Sequence, residues 1–285
     1  MAAGALLLVS DNTVQADLDR RFGGLTRLYG AGGAAGIRAA HVVVVGLGGV
    51  GSWTAEALAR SGVARLTLID LDHIAESNIN RQIHALGETL GQAKVLAMRD
   101  RIADINPECE VRCVDAFVDA DNWPAIAGLD PEVVGSLGVV DACDQVKAKT
   151  AMAAWALQHN LKYKGRQQVH LISVGAAGGK RHAHKVDIDD LSLTTHDPLL
   201  AQLRYRLRKE HGAAREGRIG LPCVFSREAV MQPSFSADAK EVQGDSSLNC
   251  HGYGSVVSVT ATFGICAAGW LLEKIASQAL PASSK

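Results

Sequence analysis

Residues His41–Asp72 read HVVVVGLGGVGSWTAEALARSGVARLTLIDLD. An apolar run, Val42–Val45, meets a cluster of glycines at Gly46, Gly48, Gly49 and Gly51. An Ala-rich helical stretch follows, then a second apolar run that ends at Asp70. The order is strand, tight turn, helix and strand, the length of one βαβ unit of about 30 residues. Such a unit aims a helix N-terminus, with its open N–H groups and positive dipole end, at a phosphate. The glycines permit the turn and the close backbone approach. Gly46-x-Gly48-x-x-Gly51 with an acidic residue at the next strand end fits the dinucleotide fingerprint. On the glycines alone, ATP, NAD and FAD all remain open.

Outside this unit, apolar runs continue to alternate with helical stretches. Val111–Val114, Val139–Ala142 and Val169–Val174 read as strands beside Val42–Val45 and Leu66–Ile69. Gly49–Arg60, Lys94–Ile105 and Val146–His159 read as helices, the second broken at Asn106-Pro107. The alternation predicts an α/β fold, a Rossmann-like, mostly parallel sheet with helices on both faces. Such sheets bind ligands at the carboxyl ends of their strands. Asp70, Asp72, Asp141 and Asp144 fall at or just past those ends. After about Gly178 the pattern weakens. Pro198–His211 reads as a basic helix, and 212–250 as loops and a crossover.

The 285-residue chain carries a formal net charge of −1, so it is not a polyanion binder as a whole. Charge is uneven, with 12 Lys/Arg against 6 Asp/Glu between Ala151 and Gly220. That asymmetry fits a nucleic-acid face or an ordinary solvated surface. The six cysteines form no C-x-x-C pair, which argues against a zinc ribbon, and nothing suggests a disulfide framework in a chain of this size. The N-terminal stretch has no Lys or Arg before Arg20, unlike a secretory signal. A cytoplasmic, reducing setting is expected. Gly252–Leu272 carries no charge and is long enough for a membrane helix, but Ser, Thr and Gly dilute its apolarity. A buried strand or helix near a subunit interface is the first reading, membrane association the second.

Five ordered pieces narrow the choice. They are Gly46–Gly51, the acidic end at Asp70 and Asp72, the run Ser77-Asn78-Ile79-Asn80-Arg81-Gln82, Gly91–Lys94, and Asp141–Asp144. In this order they resemble the ubiquitin-activating (ThiF/MoeB) superfamily, whose bacterial members adenylate carboxylates. Within it the chain is most similar to the tRNA threonylcarbamoyladenosine dehydratase family. RFGGLTRLYG (21–30), NINRQIHAL, RIADINPECEV, HDPLLAQLR, CVFSREAV and VTATFG carry that resemblance. It implies one ThiF-like adenylating unit over 1–285. The nucleotide part would span 20–178, a basic, loop-rich substrate part 179–250, and an apolar packing segment 251–285.

The implied reaction starts with attack of a carboxylate on the α-phosphate of ATP. An acyl-adenylate forms, ring closure expels AMP, and the modified adenosine in the tRNA anticodon loop loses water. Charge builds on phosphate oxygens, so fixed cations matter more than a strong base. The resemblance gives Arg81 a forked phosphate contact and Lys94 a point charge near the β- or γ-phosphate. Asp144 would hold Mg²⁺, Asp70 the ribose, and Asp72 a place near phosphates or metal. Gly46, Gly48, Gly49, Gly51, Asn78, Asn80 and Gln82 complete the expected nucleotide site. Taken singly, Arg81 and Lys94 also suit surface ion pairs, and Asp144 a helix cap. Arg21 is expected to cross a homodimer to the partner's triphosphate.

The positive segment expected to meet tRNA comprises Arg204, Arg206, Arg208, Lys209, Arg215 and Arg218, with Lys180, Arg181 and Lys185. A cysteine desulfurase or sulfur acceptor is a further candidate partner. Cys223 and Cys250 are the thiols to watch, although ring closure needs none. Two features depart from the superfamily pattern: Gln145 follows Asp144 where Asn is usual, and Lys162–His170 is longer and more polar. Other readings are an adenylyltransferase for a ubiquitin-like sulfur carrier, an NAD-dependent oxidoreductase, and a membrane-attached scaffold.

Overall fold

The computed structural model describes residues 16–129, 137–163, 168–232 and 253–279. The strands are β1 (His41–Val45), β2 (Arg65–Ile69), β3 (Glu110–Val114), β4 (Leu137–Asp141), β5 (Val169–Val174), β6 (Val186–Asp190) and β7 (Pro222–Ser226). They form one seven-stranded sheet in the order β3-β2-β1-β4-β5-β7-β6. Every neighbouring pair is parallel except β6 with β7. The helices are α1 (Leu18–Ala39), α2 (Gly51–Arg60), α3 (Lys94–Ile105), α4 (Val146–Tyr163), α5 (Pro198–Glu210) and α6 (Val257–Ala279).

The apolar runs are buried on both faces because the sheet is covered on both. Along β1 the side chains divide by the strand's period of two. Val42 and Val44 join Ile37, Leu58, Met98, Phe263 and Leu271 in one core. Val43 and Val45 join Met152, Leu171, Leu203 and Phe225 in the other. The first core lies under α1, α2, α3 and α6, the second under α4 and α5.

The chain runs from β1 outward through β2 to β3, then returns to lay β4 on the other side of β1. The crevice between the carboxyl ends of β1 and β4 is therefore a topological switch point. Gly46 occupies it at φ +85°. A Cβ there would come within 2.9 Å of the Ala142 carbonyl oxygen and the Cys143 nitrogen. A Cβ on Gly51 would overlap the Gly46 carbonyl oxygen. Both positions therefore exclude a side chain.

The sequence reading leaves α1 unassigned, takes two strands for loops, and sets the apolar C-terminal stretch among the buried elements, as the structure does. The Gly-rich stretch after Leu18 forms α1, two helical segments meeting at Gly30 (φ +72°). The expected loops of 179–250 contain β6 and β7. Gly252–Leu272 contributes most of α6, which is long and apolar enough to cross a membrane. It is nonetheless a core helix: Val259, Phe263, Ala267, Leu271 and Ile275 are fully buried. Gly264 lets it lie on the start of α2, where Thr54 Oγ1 donates to the Gly264 carbonyl at 3.2 Å. The Ser, Thr and Gly residues that dilute its apolarity thus allow close helix packing.

Gly51→Ala is expected to cost about 3 kcal/mol or more, as overpacking against a fixed carbonyl does. Thermal melts compare it with Gly48→Ala, whose Cβ meets nothing within 4 Å. His41 supplies a second prediction. Burial, then the Arg65 charge, lowers its pKa to about 4. Between about 6.5 and about 4 the unfolded chain carries a proton on this ring that the fold does not accept. Stability should therefore fall as pH drops through that window. His41→Gln should make the fall in melting temperature shallower. An unchanged slope would contradict the assignment.

Candidate nucleotide site at the β1–β4 crevice

The site is built where β1, β2 and β4 end. The Gly46 N–H donates to the Ile69 carbonyl at 2.8 Å, and the chain then turns into α2. No side chain caps the start of α2, so its first N–H groups face the turn without a carboxylate or hydroxyl in the way. Asp70 follows β2 directly. Its Oδ2 accepts the Leu47 N–H at 2.5 Å, and its Oδ1 accepts the Asp72 N–H at 2.8 Å. Burial raises its pKa above the ordinary carboxylate value, with the Lys94 charge opposing that rise. A carboxylate has more lone pairs than these two bonds use, so a ribose hydroxyl still fits.

Lys94 stands at the first position of α3, where a cation opposes the helix dipole. Its surroundings hold it there. His73 and Ala93 form an antiparallel bridge, and the Lys94 N–H donates to the Asp72 carbonyl at 3.0 Å. The Lys94 Nζ lies 2.6 Å from Asp72 Oδ2 and 3.8 Å from Asp70 Oδ1. The lysine side chain is almost fully buried, while that of Asp72 is 61% exposed. A buried ammonium facing a solvent-exposed carboxylate can exchange that partner for an anion.

Arg81 comes to the same turn from the other side. A Cβ on Gly49 would sit 3.1 Å from Arg81 Cγ, so the arginine stem crosses the glycine. Its Nη1 donates to the Ser77 carbonyl at 2.5 Å and to Asn80 Oδ1 at 3.0 Å. Its carbonyl accepts from Trp53 Nε1 at 2.9 Å. Asn78 Oδ1 accepts the Ala75 N–H at 3.0 Å, which closes the short turn before Arg81. Asn80 Nδ2 donates to the Ser255 carbonyl at 3.0 Å. Asn78 and Asn80 thus brace the loop, and Gln82 lies buried behind it.

Asp144 is exposed, just beyond β4 and next to the Cys143 nitrogen that crowds Gly46. Among the described residues it has no recorded hydrogen bond or ion pair. A lone carboxylate at the crevice suits Mg²⁺, which keeps several waters and takes few protein ligands. Among the described residues no three His, Cys, Asp or Glu side chains cluster as a metal cage.

The structure separates other expected residues from this group. Within its own chain Arg21 caps the far end of α3, where Nη1 donates to the carbonyls of Asp104 (3.1 Å) and Ile105 (2.8 Å). Lys94 begins that helix, so one chain's Arg21 and Lys94 lie at opposite ends of it. Asp141 is fully buried. Its oxygens accept from Lys149 Nζ (3.0 Å) and Ser173 Oγ (2.7 Å). Burial opposes the Lys149 charge, but the Asp141 carboxylate outweighs it and the lysine pKa is raised. Losing one member of such a pair costs about 3–5 kcal/mol. Cys143 donates to the same carboxylate at 3.1 Å, and burial pushes its thiol pKa well up. Cys223 is buried in β7, and burial pushes its thiol pKa well up, which disfavours the thiolate. Cys250 lies outside the described residues.

Lys149 was not anticipated, and its partner is legible only in three dimensions. The basic segment also divides. Arg204 donates to the carbonyls of Leu191 (3.0 Å) and Thr194 (3.1 Å), so it is structural. Arg206 pairs with Glu210, Arg218 with Asp189, and Lys180 is buried on the His196 and Glu228 carbonyls. α5 is capped by Asp197, which lies against Gly175 beyond the carboxyl end of β5. It runs back toward the opposite edge, where Asp190 binds the N–H groups of Ile219 and Gly220.

Comparison with known proteins agrees with this geometry. The ThiF family profile matches residues 23–284. The tRNA threonylcarbamoyladenosine dehydratase of Escherichia coli (strain K12) is 41% identical over 267 residues, covering 91% of this chain and 95% of the relative. That of Haemophilus influenzae is 38% identical over 269 residues, covering 92% and 97%. The crystal structure of the E. coli tRNA N6-threonylcarbamoyladenosine dehydratase TcdA in complex with ATP superposes with a TM-score of 0.78. It is 40% identical and covers 93% of this chain and 97% of that one. A parallel sheet with a glycine crevice at its switch point, matched along nearly the whole chain, places this protein in the ThiF family.

Proposed function

We propose that this chain is an ATP-dependent tRNA threonylcarbamoyladenosine dehydratase. The observation that carries the reading is the convergence of Arg81, Lys94, Asp70 and Asp72 on the Gly46–Gly51 turn, in a chain matched over 91% and 92% of its length by proteins of that name. An NAD-dependent oxidoreductase needs no such pair of cations beside the turn.

The threonyl carboxylate of the modified adenosine bonds to the α-phosphorus, and pyrophosphate leaves. An atom of the carbamoyl group then attacks the activated carbonyl, the ring closes, and AMP departs with the carboxylate oxygen. In the first step negative charge grows on the phosphate oxygens. The N–H groups of Gly51 and Trp53 at the start of α2 and the second arm of Arg81 are placed to meet it. Lys94 adds a buried point charge once it leaves Asp72. Asp70 orients the ribose while its backbone bonds keep it fixed. Asp144 is the carboxylate we assign to Mg²⁺, which when bound neutralises charge on the departing pyrophosphate. In a homodimer, Arg21 of one chain would serve the other chain's phosphates.

The tRNA face follows from the sheet edges. Arg181, His182, His184 and Lys185 are exposed on the loop after β5, at the carboxyl edge. That loop is tied to the site: Gly179 N–H donates to Gly254, and the neighbouring Ser255 carbonyl accepts from Asn80. We assign the anticodon-loop contact to this ridge, with Arg208 and Arg215 remote from it.

Substrate tRNA incubated with protein, ATP and Mg²⁺ should yield a nucleoside lighter by the mass of one water. Lys94→Ala or Arg81→Ala should slow that conversion by about 10²–10³. Unchanged nucleosides with the intact protein would sink the reading. For the ridge, Arg181→Ala/Lys185→Ala should weaken tRNA binding and flatten its salt slope by about 1.4 to 1.8. Arg208→Ala/Arg215→Ala should change both less. The reverse order would return the contact to α5.

A further inference from the structure

Gln82 and His84 leave three buried polar atoms without a well-formed hydrogen bond within three residues: Gln82 Oε1, His84 Nδ1 and His84 Nε2. His84 is 1% exposed and Gln82 5%. Folds rarely strip water from such atoms without a replacement bond. A polar niche left open in this way marks a place that another conformation or a ligand completes.

The niche borders the site. Arg81 precedes it, and the Ile83 N–H faces Ser52 Oγ at 3.4 Å in the first turn of α2. The His84 ring feels two cations, Lys94 and Arg101, and makes a weak bond to the Leu47 backbone that favours one N–H and leaves the other nitrogen as an acceptor. Burial first, then Lys94 and Arg101, lowers its pKa to about 4. At neutral pH it therefore offers one donor and one acceptor nitrogen. Arg101 is committed to Glu56, at 2.6 and 3.1 Å. Lys94 is not so fully committed. Its ammonium has three donors, and its one close acceptor is the exposed carboxylate of Asp72.

We propose that His84 is a positioning residue for Lys94. When Lys94 turns from Asp72 to the nucleotide phosphates, the imidazole accepts one of its N–H bonds and holds the ammonium over the glycine turn. Asp72 restrains Lys94 from the solvent side, and His84 restrains it from the buried side. An apolar residue at 84 would let the ammonium fall back to Asp72. A second cation there would compete with Lys94 for the same phosphate. The niche is thus a cost to the fold that the loaded site recovers. This inference rests on the nucleotide reading of the site and is independent of tRNA.

Calorimetric titration of the full chain with ATP and with AMP tests it, because AMP lacks the phosphates assigned to Lys94. His84→Phe should weaken ATP binding by about tenfold to a hundredfold and leave AMP binding unchanged. Its melting temperature should stay close to that of the parent chain, since a buried, poorly satisfied acceptor is gone while one weak bond to the Leu47 backbone is lost. His84→Leu makes the same comparison with a narrower side chain. His84→Gln, which restores an acceptor, should recover most of the preference for ATP. Equal losses for ATP and AMP, no loss for either, or a Gln variant no better than Phe would each overturn the proposal. Lys94→Ala is the reference: if it leaves the ATP-to-AMP ratio unchanged, the assignment of Lys94 to the phosphates fails, and the role of His84 with it.

Discussion

The hydrogen bond from the Leu47 N–H to the Asp70 carboxylate, 2.5 Å long, joins the ends of two neighbouring strands. It fixes the glycine turn against β2, and through Asp72 and Lys94 it fixes that turn against α3. Asp70 is buried for this purpose, and desolvation raises its pKa. The Leu47 and Asp72 N–H bonds and the Lys94 charge keep the anionic form accessible. A loop fastened in this way needs little reorganisation to meet a phosphate, and preorganisation of this kind supplies much of the stabilisation of a charged transition state.

The same crevice explains the sheet's second buried charge. Gly46 presses on Ala142 and Cys143, so the end of β4 must be rigid as well. Asp141, Lys149 and Ser173 lock it from beneath, in the dry layer between sheet and α4. Further along, Asp197 bonds the N–H groups of Ala176 and Leu200, which ties the start of α5 to the end of β5. The carboxyl edge of the sheet is thus held by carboxylates, Asp70 and Asp197 on backbone N–H groups and Asp141 on Lys149 and Ser173. The exposed basic loop 181–185 is carried on that edge.

Much of this was legible in the residues. The runs at Val42–Val45 and Leu66–Ile69 lie within β1 and β2, and Lys94–Ile105 and Val169–Val174 match α3 and β5, because buried parallel strands and amphipathic helices leave distinct periods. Other parts were not. Six glycines between Gly23 and Gly36 argue against a helix, yet α1 forms because Phe22, Ala34 and Ile37 bury against the core and Asp17 caps it. The acidic VDIDD of β6 resembles a loop, and it becomes an edge strand through pairing with β7 and the Arg227 contact to Asp187. Lys149 and His84 carry no spacing signal, since each gains its meaning from a partner distant in sequence. The position of the basic helix was not legible for a related reason: composition shows charge but not which edge of the sheet it reaches.

The most direct measurement is a calorimetric titration of the intact chain with ATP–Mg²⁺ and, separately, with NAD. The account predicts saturable ATP binding that is lost in the Asp70→Ala/Lys94→Ala variant while its fold persists, with no heat from NAD. Binding of NAD, or ATP binding that survives that double substitution, would contradict it.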